Sequence, residues 1–361
     1  MQKRLLFFFF FLMRAISSAM AQVTTSSMSG TVVAEGEEII GATVDVVHTP
    51  SGTHYRAVTN EKGVYTINGM RVGGPYQVTV KCIGFSDKTV GGINLQLGET
   101  YNLKTNLSES VKEMQEVTVS AKGSKFSYEQ TGASTNISNE QMLAMPTVSR
   151  SVTDFTRLSP YGGNGMTFQG SDGRTANFTV DGANFNNNFG LSSSLPGGGN
   201  PISMEAIEEL QVVISPFDVR QTGFIGGALN AITKSGTNTF KGQAYIYHQN
   251  ENMRGDAVES EFISGSRDKD RTTTYGFSLG GPIIKNKLFF FVNGELVKSP
   301  GTGTPWRASE DGVGDAEAYK SYTTVADMQR VQEHVAQKYG YNTGSYTKFP
   351  SDADTKKLLA K

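Results

Sequence analysis

Apolar and polar residues alternate over short runs along most of this chain, and glycine, asparagine or proline separates one run from the next. Residues 43–47, 63–67 and 76–80 are three such runs. A period of two with closely spaced turn residues predicts strands, and several in succession predict a β-sandwich. Gly63 fits this interpretation, because a glycine that ends the turn 60–63 can adopt a positive φ. We therefore predict an independent all-β unit over residues 28–108.

The pattern changes after residue 130, where short helices alternate with strands as far as residue 238. Residues 138–141 read Ser-Asn-Glu-Gln, a capping-box sequence, and predict a helix that ends before Pro146. Asp181-Gly182 predicts a hairpin turn after a strand at 175–180. This mixture predicts an α+β domain over residues 130–238.

From Phe240 the alternating runs lengthen to the roughly ten residues that are typical of a transmembrane β-strand. In the first run, Ala244 and Ile246 share the face that would meet lipid. In the third run, Asn293 and Glu295 would point to the lumen. The sequence therefore predicts the first strands of a transmembrane β-barrel within residues 239–361.

Two polar stretches separate the predicted barrel strands and read as outer loops. Residues 250–271 are too charged to span a membrane, and residues 298–354 include a helical pattern that Thr324 can cap and Gly340 can end. Residues 356–361 open a fourth strand. Since unpaired strand edges are not tolerated in hydrocarbon, and plugged barrels close at about 22 strands, we expect the chain to be the truncated N-terminal part of a longer protein.

The N-terminus has the pattern of a secretory signal over residues 1–21. Lys3 and Arg4 precede an apolar run at 5–13, and Ala19-Met-Ala21 supplies the small residues before a cleavage site at Gln22. The run is far shorter than the roughly 20 residues that a membrane-spanning helix needs. The pattern therefore predicts export with cleavage, and an uncleaved anchor remains the alternative.

Charge and composition exclude several classes of function. The formal net charge is −1, and removal of Lys3, Arg4 and Arg14 with the signal would take it to −4, which disfavours a nucleic-acid partner. Cys82 is the only cysteine, so neither an intrachain disulfide nor a cysteine metal site can form. The sequence offers no nucleophile paired with a base and no phosphate-cradling loop followed by a helix. We expect no enzymatic activity and no cofactor.

Motifs in the sandwich region resemble a known domain. Ser29-Gly-Thr-Val-Val, Thr59-Asn-Glu-Lys-Gly-Val-Tyr-Thr-Ile and Gly84-Phe85 are similar to the carboxypeptidase regulatory-like domain found ahead of many Bacteroidetes transporters. The resemblance implies a β-sandwich and no peptidase chemistry. A transthyretin-like or immunoglobulin-like sandwich remains the alternative.

Four further motifs start at Gln169, Ile207, Gly226 and Gly281, the last reading Gly-Pro-Ile-Ile-Lys-Asn-Lys. Together they resemble a TonB-dependent outer-membrane receptor of the Oar-like branch, which is related to the SusC/RagA transporters. The resemblance implies a mainly β chain with an N-terminal β-sandwich, an α+β plug domain and the first strands of an incomplete barrel. It also implies a place in the outer membrane, contact with its lipid, and in some relatives a surface lipoprotein partner.

The linker at 109–129 is polar apart from one short alternating segment. A strand-like segment in a linker suits β-augmentation, in which it pairs with the sheet edge of another protein. Its position before the plug resembles the TonB box, which the periplasmic energy transducer TonB grips. We expect this coupling segment to be solvated and accessible; it comprises Glu116, Val117, Thr118, Val119, Ser120 and Ala121.

One loop of the predicted plug is rich in asparagine and allows two interpretations. It is either an apical loop that touches substrate, since binding residues are common on loops held by a rigid scaffold, or plain flexible surface. The segment comprises Asn184, Phe185, Asn186, Asn187 and Asn188. The sequence as a whole favours a transporter for a large nutrient such as a glycan or peptide. A surface binding protein or adhesin without transport is the alternative.

Overall fold

The computed structural model describes residues 23–109, 117–120, 133–147, 149–187, 195–196, 199–214, 216, 221–253, 255, 257–258, 261–262, 271–299, 306–345 and 354–361. The predicted signal peptide, residues 1–21, lies outside these ranges. Glu116, Ala121 and Asn188 of the predicted sites do so too. Across the described ranges, no helix is both long enough and apolar enough to cross a membrane.

The chain forms two compact units. The first comprises Met1–Gln243, Ser278–Gly294 and Lys357–Lys361, and the second comprises Ala244–Phe277 and Glu295–Lys356. The predicted fold class is confirmed, because the chain is mainly β and the described strands begin a barrel without closing it.

The N-terminal part of the first unit is a two-sheet sandwich. One sheet has the order β2-β1-β5 with β8 also paired to β1, and the other has the order β4-β3-β6-β7-β9. The strands are β1 Ser26–Ala34, β2 Glu37–Glu38, β3 Thr43–His48, β4 Thr53–Val58, β5 Val64–Met70, β6 Gly73–Lys81, β7 Lys88–Leu95, β8 Thr100–Leu107 and β9 Val117–Ser120.

Alternation along these strands builds the sandwich core. Alternate residues of β1 are buried from Ser26 to Ala34, as expected for a strand with one face in the core. Tyr65 and Tyr76 are buried, and the Tyr76 hydroxyl donates to the Arg71 carbonyl at 2.6 Å. Gly63 has a φ of 63°, which confirms the predicted turn.

Gly30 on β1 is required by a close approach of backbone. A Cβ built at this position would lie 2.0 Å from the carbonyl oxygen of Leu103 on the neighbouring β8. Real Cβ atoms do not come this close to a backbone oxygen, so any side chain would push β1 and β8 apart.

The α+β part of the first unit is a five-stranded sheet with short helices. The strand order is β10-β13-β14-β11-β12, and β11 runs parallel to β14. The strands are β10 Ala133–Ser138, β11 Asn177–Val180, β12 Ala183–Asn184, β13 Ile207–Ile214 and β14 Gly227–Thr233; the helix is α1 Asn139–Ala144, with 3₁₀ helices at Val152–Leu158, Gly173–Thr175 and Met204–Ala206.

Local sequence signals place these elements. Ser138 and Gln141 form both hydrogen bonds of the predicted capping box at the start of α1. Asp181 and Gly182 have φ angles of 47° and 81° and join β11 to β12 in the predicted hairpin. Every residue of β14 is buried, because this strand lies in the middle of the sheet.

The remaining long strands form a sheet of order β15-β18-β19-β22. Their bounds are β15 Lys241–Gln249, β18 Thr272–Ile284, β19 Leu288–Lys298 and β22 Thr355–Ala360. On β19, Phe291, Asn293 and Glu295 are buried, as predicted for the face turned to the lumen. β15 is exposed along most of its length on both faces, so its predicted lipid face stays a prediction. β22 confirms the predicted fourth strand.

The second unit contains the remaining parts of these strands and the segments predicted as outer loops. It includes β16 Ala257–Val258, β17 Glu261–Phe262, a 3₁₀ helix Glu251–Met253, β20 Arg307–Ser309, β21 Lys320–Thr324 and α2 Val325–Tyr339. Thr324 caps α2 by accepting from the Asp327 amide, and Gly340 ends it with a left-handed φ of 63°, so both predicted helix boundaries are confirmed. The Tyr245 hydroxyl donates to Glu295 at 2.9 Å.

We predict that Gly30→Ala destabilises the sandwich by about 2 kcal/mol or more, because the new methyl group overlaps the Leu103 carbonyl and overpacking typically costs about 1–3 kcal/mol. The measurement is urea unfolding of a polypeptide of residues 23–109, followed by circular dichroism. The same curves test the prediction that this unit folds cooperatively alone.

Gly91→Ala is the matched control in the same sandwich. A Cβ at Gly91 meets nothing within 4 Å, and its φ is not in the left-handed region, so we expect a change within about 0.5 kcal/mol. Equal destabilisation by the two variants would contradict the packing argument. A broad, non-cooperative curve for the unsubstituted polypeptide would contradict the domain boundary.

Candidate functional site

The described part of the coupling segment is a strand on the sandwich. β9 pairs in parallel with β7 in a four-residue register that sets Lys88 opposite Val117, Thr89 opposite Thr118, Val90 opposite Val119 and Gly91 opposite Ser120. The sequence favours a solvated segment between two complete domains. The structure differs, because the backbone of this segment adds a fifth strand to the sandwich sheet.

The preceding chain leads the segment toward this edge. After β8, the Ser108 carbonyl accepts a hydrogen bond from the Ser86 amide at 2.9 Å, and Glu109 forms an isolated bridge with Phe85. Lys88 Nζ donates to the Asn106 carbonyl at 2.8 Å. The chain therefore leaves β8 beside the start of β7, close to the residues with which β9 pairs.

Sheet geometry explains why the edge of β7 takes up this strand. β7 pairs with β6 along its other edge, so without β9 its outer edge would present unpaired N–H and C=O groups. Such an edge is a ready template for any extended segment that reaches it. Local alternation indicates that the coupling segment can be a strand but does not indicate which strand it will join.

The sandwich is joined through the backbone of Leu97 to the five-stranded sheet β10-β13-β14-β11-β12 of the predicted plug, which we call the plug sheet. The Leu97 amide donates to Glu209 Oε1 at 2.9 Å, and Gln211 Nε2 donates to the Leu97 carbonyl at 2.6 Å. The Leu97 side chain is fully buried in a small apolar cluster with Val23, Val72 and Ile232. We call this arrangement of Leu97, Glu209 and Gln211 the Leu97 clasp.

The place of Glu209 in the clasp raises the pKa of its carboxyl group. Burial raises the pKa of Glu209 to about 8, the hydrogen bond from Leu97 opposes this shift, and the charges of Glu99 and Glu208 add to it. A carboxyl group with this pKa is largely protonated at neutral pH. The clasp therefore buries little net charge near pH 7, and the cost of ionising Glu209 appears at more alkaline pH.

A row of polar side chains runs from the clasp across the plug sheet. Asn136, Gln211, Asn230, Thr179 and Asn184 occupy directly opposed positions on the five strands. Within this row Asn230 Nδ2 donates to Gln211 at 3.4 Å, and the Thr179 hydroxyl donates to Asn230 at 2.8 Å. Buried polar groups are tolerated when hydrogen bonded, so the row keeps the strands in one register.

In the described part of the asparagine-rich segment, Asn184 and Phe185 are exposed, whereas Asn186 and Asn187 are half-buried. Asn186 accepts from the Phe178 amide at 2.6 Å and donates to Asn177 at 2.7 Å, so it covers the edge of β11. Asn184 accepts from the Asn186 amide, whereas the Phe185 ring is 40% exposed. The structure thus assigns Asn186 a packing role and leaves Phe185 available for contact.

A polar cleft of about 820 Å³ lies in the first unit and is lined by residues of the sandwich, of the plug sheet and of β15, β18 and β19. His48 lines it; burial and then the charge of Arg71 lower the pKa of His48 to about 4, so its ring is neutral near pH 7. Lys361 also lines the cleft, and its Nζ lies 3.2 Å from Asp181 Oδ2. Its lining residues are far apart in sequence, which is why no local motif indicates the cleft.

Sequence reasoning missed the Leu97 clasp, although one signal was present. Glu209 and Gln211 alternate with Leu210 and Val212 in a strand whose other residues are mostly apolar. Two polar residues on one face of a central strand indicate a buried polar contact. The partner is a backbone group 112 residues earlier, which no sequence pattern identifies.

Two domain families match the chain. Residues 27–108 match the carboxypeptidase regulatory-like domain, and residues 232–337 match the outer membrane beta barrel domain. The second match includes the last residues of β14 and most of the strands that follow it.

Known proteins match parts of the chain. The TonB-dependent transporter Oar of Myxococcus xanthus is 29% identical over 150 residues, which are 39% of this chain and 14% of that protein. The siderophore receptor PirA of Acinetobacter baumannii is 22% identical, covering 46% of this chain and 24% of that one, with a TM-score of 0.36. The outer membrane transporter YddB of Escherichia coli is 13% identical, covering 50% and 28%, with a TM-score of 0.38. The chain thus spans about 14% of the length of the curated relative that it matches.

We predict that Glu209→Gln strengthens the Leu97 clasp at alkaline pH. A carboxyl group whose pKa is raised from 4.5 to about 8 contributes stability that is full below pH 4.5 and is lost as the pH rises through 8. Glutamine cannot ionise and keeps an acceptor for the Leu97 amide. The measurement is hydrogen–deuterium exchange of the Leu97 amide in the full-length protein, with variant and unsubstituted protein compared at the same pH.

We compare the protection factor of the Leu97 amide in Glu209→Gln with that in the unsubstituted protein. The ratio of the two is expected to be near one at pH 5 and at least about ten at pH 8, since about 1.4 kcal/mol corresponds to a factor of ten. Glu61→Gln is the matched control, because this exposed carboxylate of the sandwich is neither part of the clasp nor among the charges that act on Glu209, and its ratio should stay near one at both pH values. A ratio for Glu209→Gln that is the same at both pH values would refute the proposed titration.

Proposed function

Because this chain is related to the TonB-dependent receptors, we propose that it supplies the periplasmic coupling end and plug of an outer-membrane transporter energised through TonB. A signal peptide at residues 1–21 would direct it to the envelope. The proposed substrate is a large nutrient such as a glycan or peptide. A surface lipoprotein is a further proposed partner, and lipid is proposed to contact the exposed faces of β15, β18 and β19.

One observation supports coupling above the others: a strand-forming segment lies between the sandwich and the plug. The described part of the segment, β9, has extended backbone and pairs through main-chain hydrogen bonds. Pairing of this kind is the interaction that β-augmentation by a partner protein requires. The segment also precedes β10, an edge strand of the plug sheet, so a pull on it has a covalent path to the plug.

The plug sheet suits a part that stays folded until it is pulled. Its central strands β13 and β14 are buried, and Phe291 of β19 packs into the same core. Arg150 is paired with the fully buried carboxylate of Glu205, which accepts also from the Ser203 hydroxyl. Removal of Arg150 would leave the buried Glu205 carboxylate without its cation, so this pair holds the two segments in one arrangement while the plug is folded.

The enzyme class receives no support from the relatives, whose names describe transporters and receptors. A non-transporting binding protein or adhesin is the second candidate. Exposed aromatic residues of the second unit support it: Trp306 and Tyr319 are each 44% exposed, and their rings meet edge to face with centroids 5.9 Å apart. Such aromatic pairs are common anchors for partners. The two candidates differ in whether TonB binds.

We predict that Val119→Pro in the full-length receptor weakens binding of the purified periplasmic domain of TonB by at least about tenfold. Proline fixes φ and removes the backbone N–H, so it interrupts a strand ladder whatever the side chain contributes. The measurement is isothermal titration calorimetry of the detergent-purified receptor with the TonB domain.

Ser120→Ala is the matched control, since it changes a side chain and leaves the backbone donor in place; we expect a change below about threefold. Equal binding by Val119→Pro and the unsubstituted receptor would show that TonB grips another segment. Lack of binding by the unsubstituted receptor would favour the adhesin candidate.

A further inference from the structure

We propose that the β7 edge of the sandwich is the resting seat of the coupling segment, and that TonB binds the segment only after it has left this edge. The inference rests on the proposed function, because it concerns how TonB reaches its segment. It gives the sandwich a role that the domain family match does not assign.

The first step is the register. Four consecutive residues of β9 lie opposite four consecutive residues of β7, so most of the six-residue segment is engaged. The seat is the N-terminal half of β7, because Lys88–Gly91 pair with β9 while the strand continues to Leu95. β9 is the last strand in the order of its sheet.

The second step is the approach of the chain. Three contacts hold residues 106–109 beside the start of β7. The Ser86 amide donates to the Ser108 carbonyl, Lys88 Nζ donates to the Asn106 carbonyl, and Phe85 forms a bridge with Glu109. These contacts keep the segment near its seat after each release. Residues 110–116 are a short covalent tether between Glu109 and β9, so the effective concentration of the segment at the β7 edge is high. Weak pairing is therefore enough to keep the segment on this edge most of the time.

The third step is the path of force. β7 passes directly into the Leu97 clasp, which fastens the sandwich to Glu209 and Gln211 of the plug. While β9 is paired with β7, a force applied to the segment is transmitted through β7 to the sandwich and the clasp. Once β9 is released, the same pull acts through the chain at 121–132 on β10. Coupling to the plug edge therefore requires release from the seat.

The consequence for binding follows from mass action. For a partner that recognises only the released segment, the apparent Kd equals the intrinsic Kd for the released segment divided by the released fraction. A seat that leaves a tenth of the segment free weakens TonB binding about tenfold, and a locked seat weakens it further. The sandwich thereby sets how readily the receptor engages TonB.

A disulfide lock tests this proposal. Gly91 and Ser120 are opposed in the register, and a Cβ at Gly91 meets nothing within 4 Å, so Gly91→Cys is accommodated without a clash and lies opposite Ser120→Cys for disulfide formation. All variants also have Cys82→Ala, because Cys82 is a free cysteine. The matched control is Gly91→Cys with Val117→Cys, which is three residues out of register and roughly 10 Å apart, beyond the reach of a disulfide, and which keeps the Lys88 contact with Asn106.

The first readout is disulfide formation in the full-length receptor under mild oxidant, measured by gel shift with a thiol-specific polymer. The second is the Kd for the purified periplasmic domain of TonB before and after reduction. We expect the in-register pair to oxidise at least about tenfold more completely than the control pair. We expect the oxidised receptor to bind TonB at least tenfold more weakly than the reduced one, while oxidant leaves the control pair unchanged.

Two results would overturn the inference alone. Equal oxidation of the two pairs would mean that β9 does not occupy this seat. Complete oxidation with unchanged TonB affinity would mean that TonB adds to the outer edge of β9 without displacing it. If neither the reduced variant nor the unsubstituted receptor binds TonB, the proposed function fails and the inference falls with it.

Discussion

The backbone groups along the edge of a strand must find partners, and this requirement shapes each part of the chain. In the sandwich, β9 closes the edge that β7 would otherwise expose. In the plug, the short strand β12 and the first strand β10 end the two sides of the sheet. At the start of the barrel, Phe291 and Lys361 exchange two backbone hydrogen bonds of 2.8 Å, which brings the end of the chain onto β19. Within hydrocarbon this requirement is strict, since no water can satisfy an open edge.

A second requirement, that buried polar groups be hydrogen bonded, determines how the sandwich meets the plug. Glu209 and Gln211 would be costly in the centre of a sheet without partners. The amide and carbonyl of Leu97 satisfy one group each, and the Leu97 side chain adds apolar contact. The join between the two domains is therefore specific for one register, because a shift of either element would leave a carboxyl and an amide unpaired.

Local sequence signals predicted those features that depend on neighbouring residues. The Asp181-Gly182 turn, the Ser138 capping box and the ends of α2 at Thr324 and Gly340 all follow from side chains within a few residues of the backbone groups they serve. The buried face of β19 also followed from alternation. Such features require no knowledge of which distant segment is near.

The features that sequence did not predict depend on distant partners. Val117–Ser120 was identified as strand-like, but its pairing with β7 depends on an open edge that only the folded sandwich defines. Glu209 was visible as a polar residue in an apolar strand, but the Leu97 backbone carries no side-chain signal of its role. For Asn186, composition indicated a loop, whereas the contacts with Phe178 and Asn177 make it part of the sheet edge.

The central claim is that one segment exchanges a partner strand in the sandwich for one in TonB. Hydrogen–deuterium exchange of the full-length receptor, with and without the periplasmic domain of TonB, tests it most directly. The account predicts that residues 88–91 and 117–120 are both protected in the free receptor. After TonB is added, residues 117–120 should stay protected, while the amides of 88–91 that face β9 lose protection and those that face β6 keep it. Unchanged protection of both segments at saturating TonB would contradict the account.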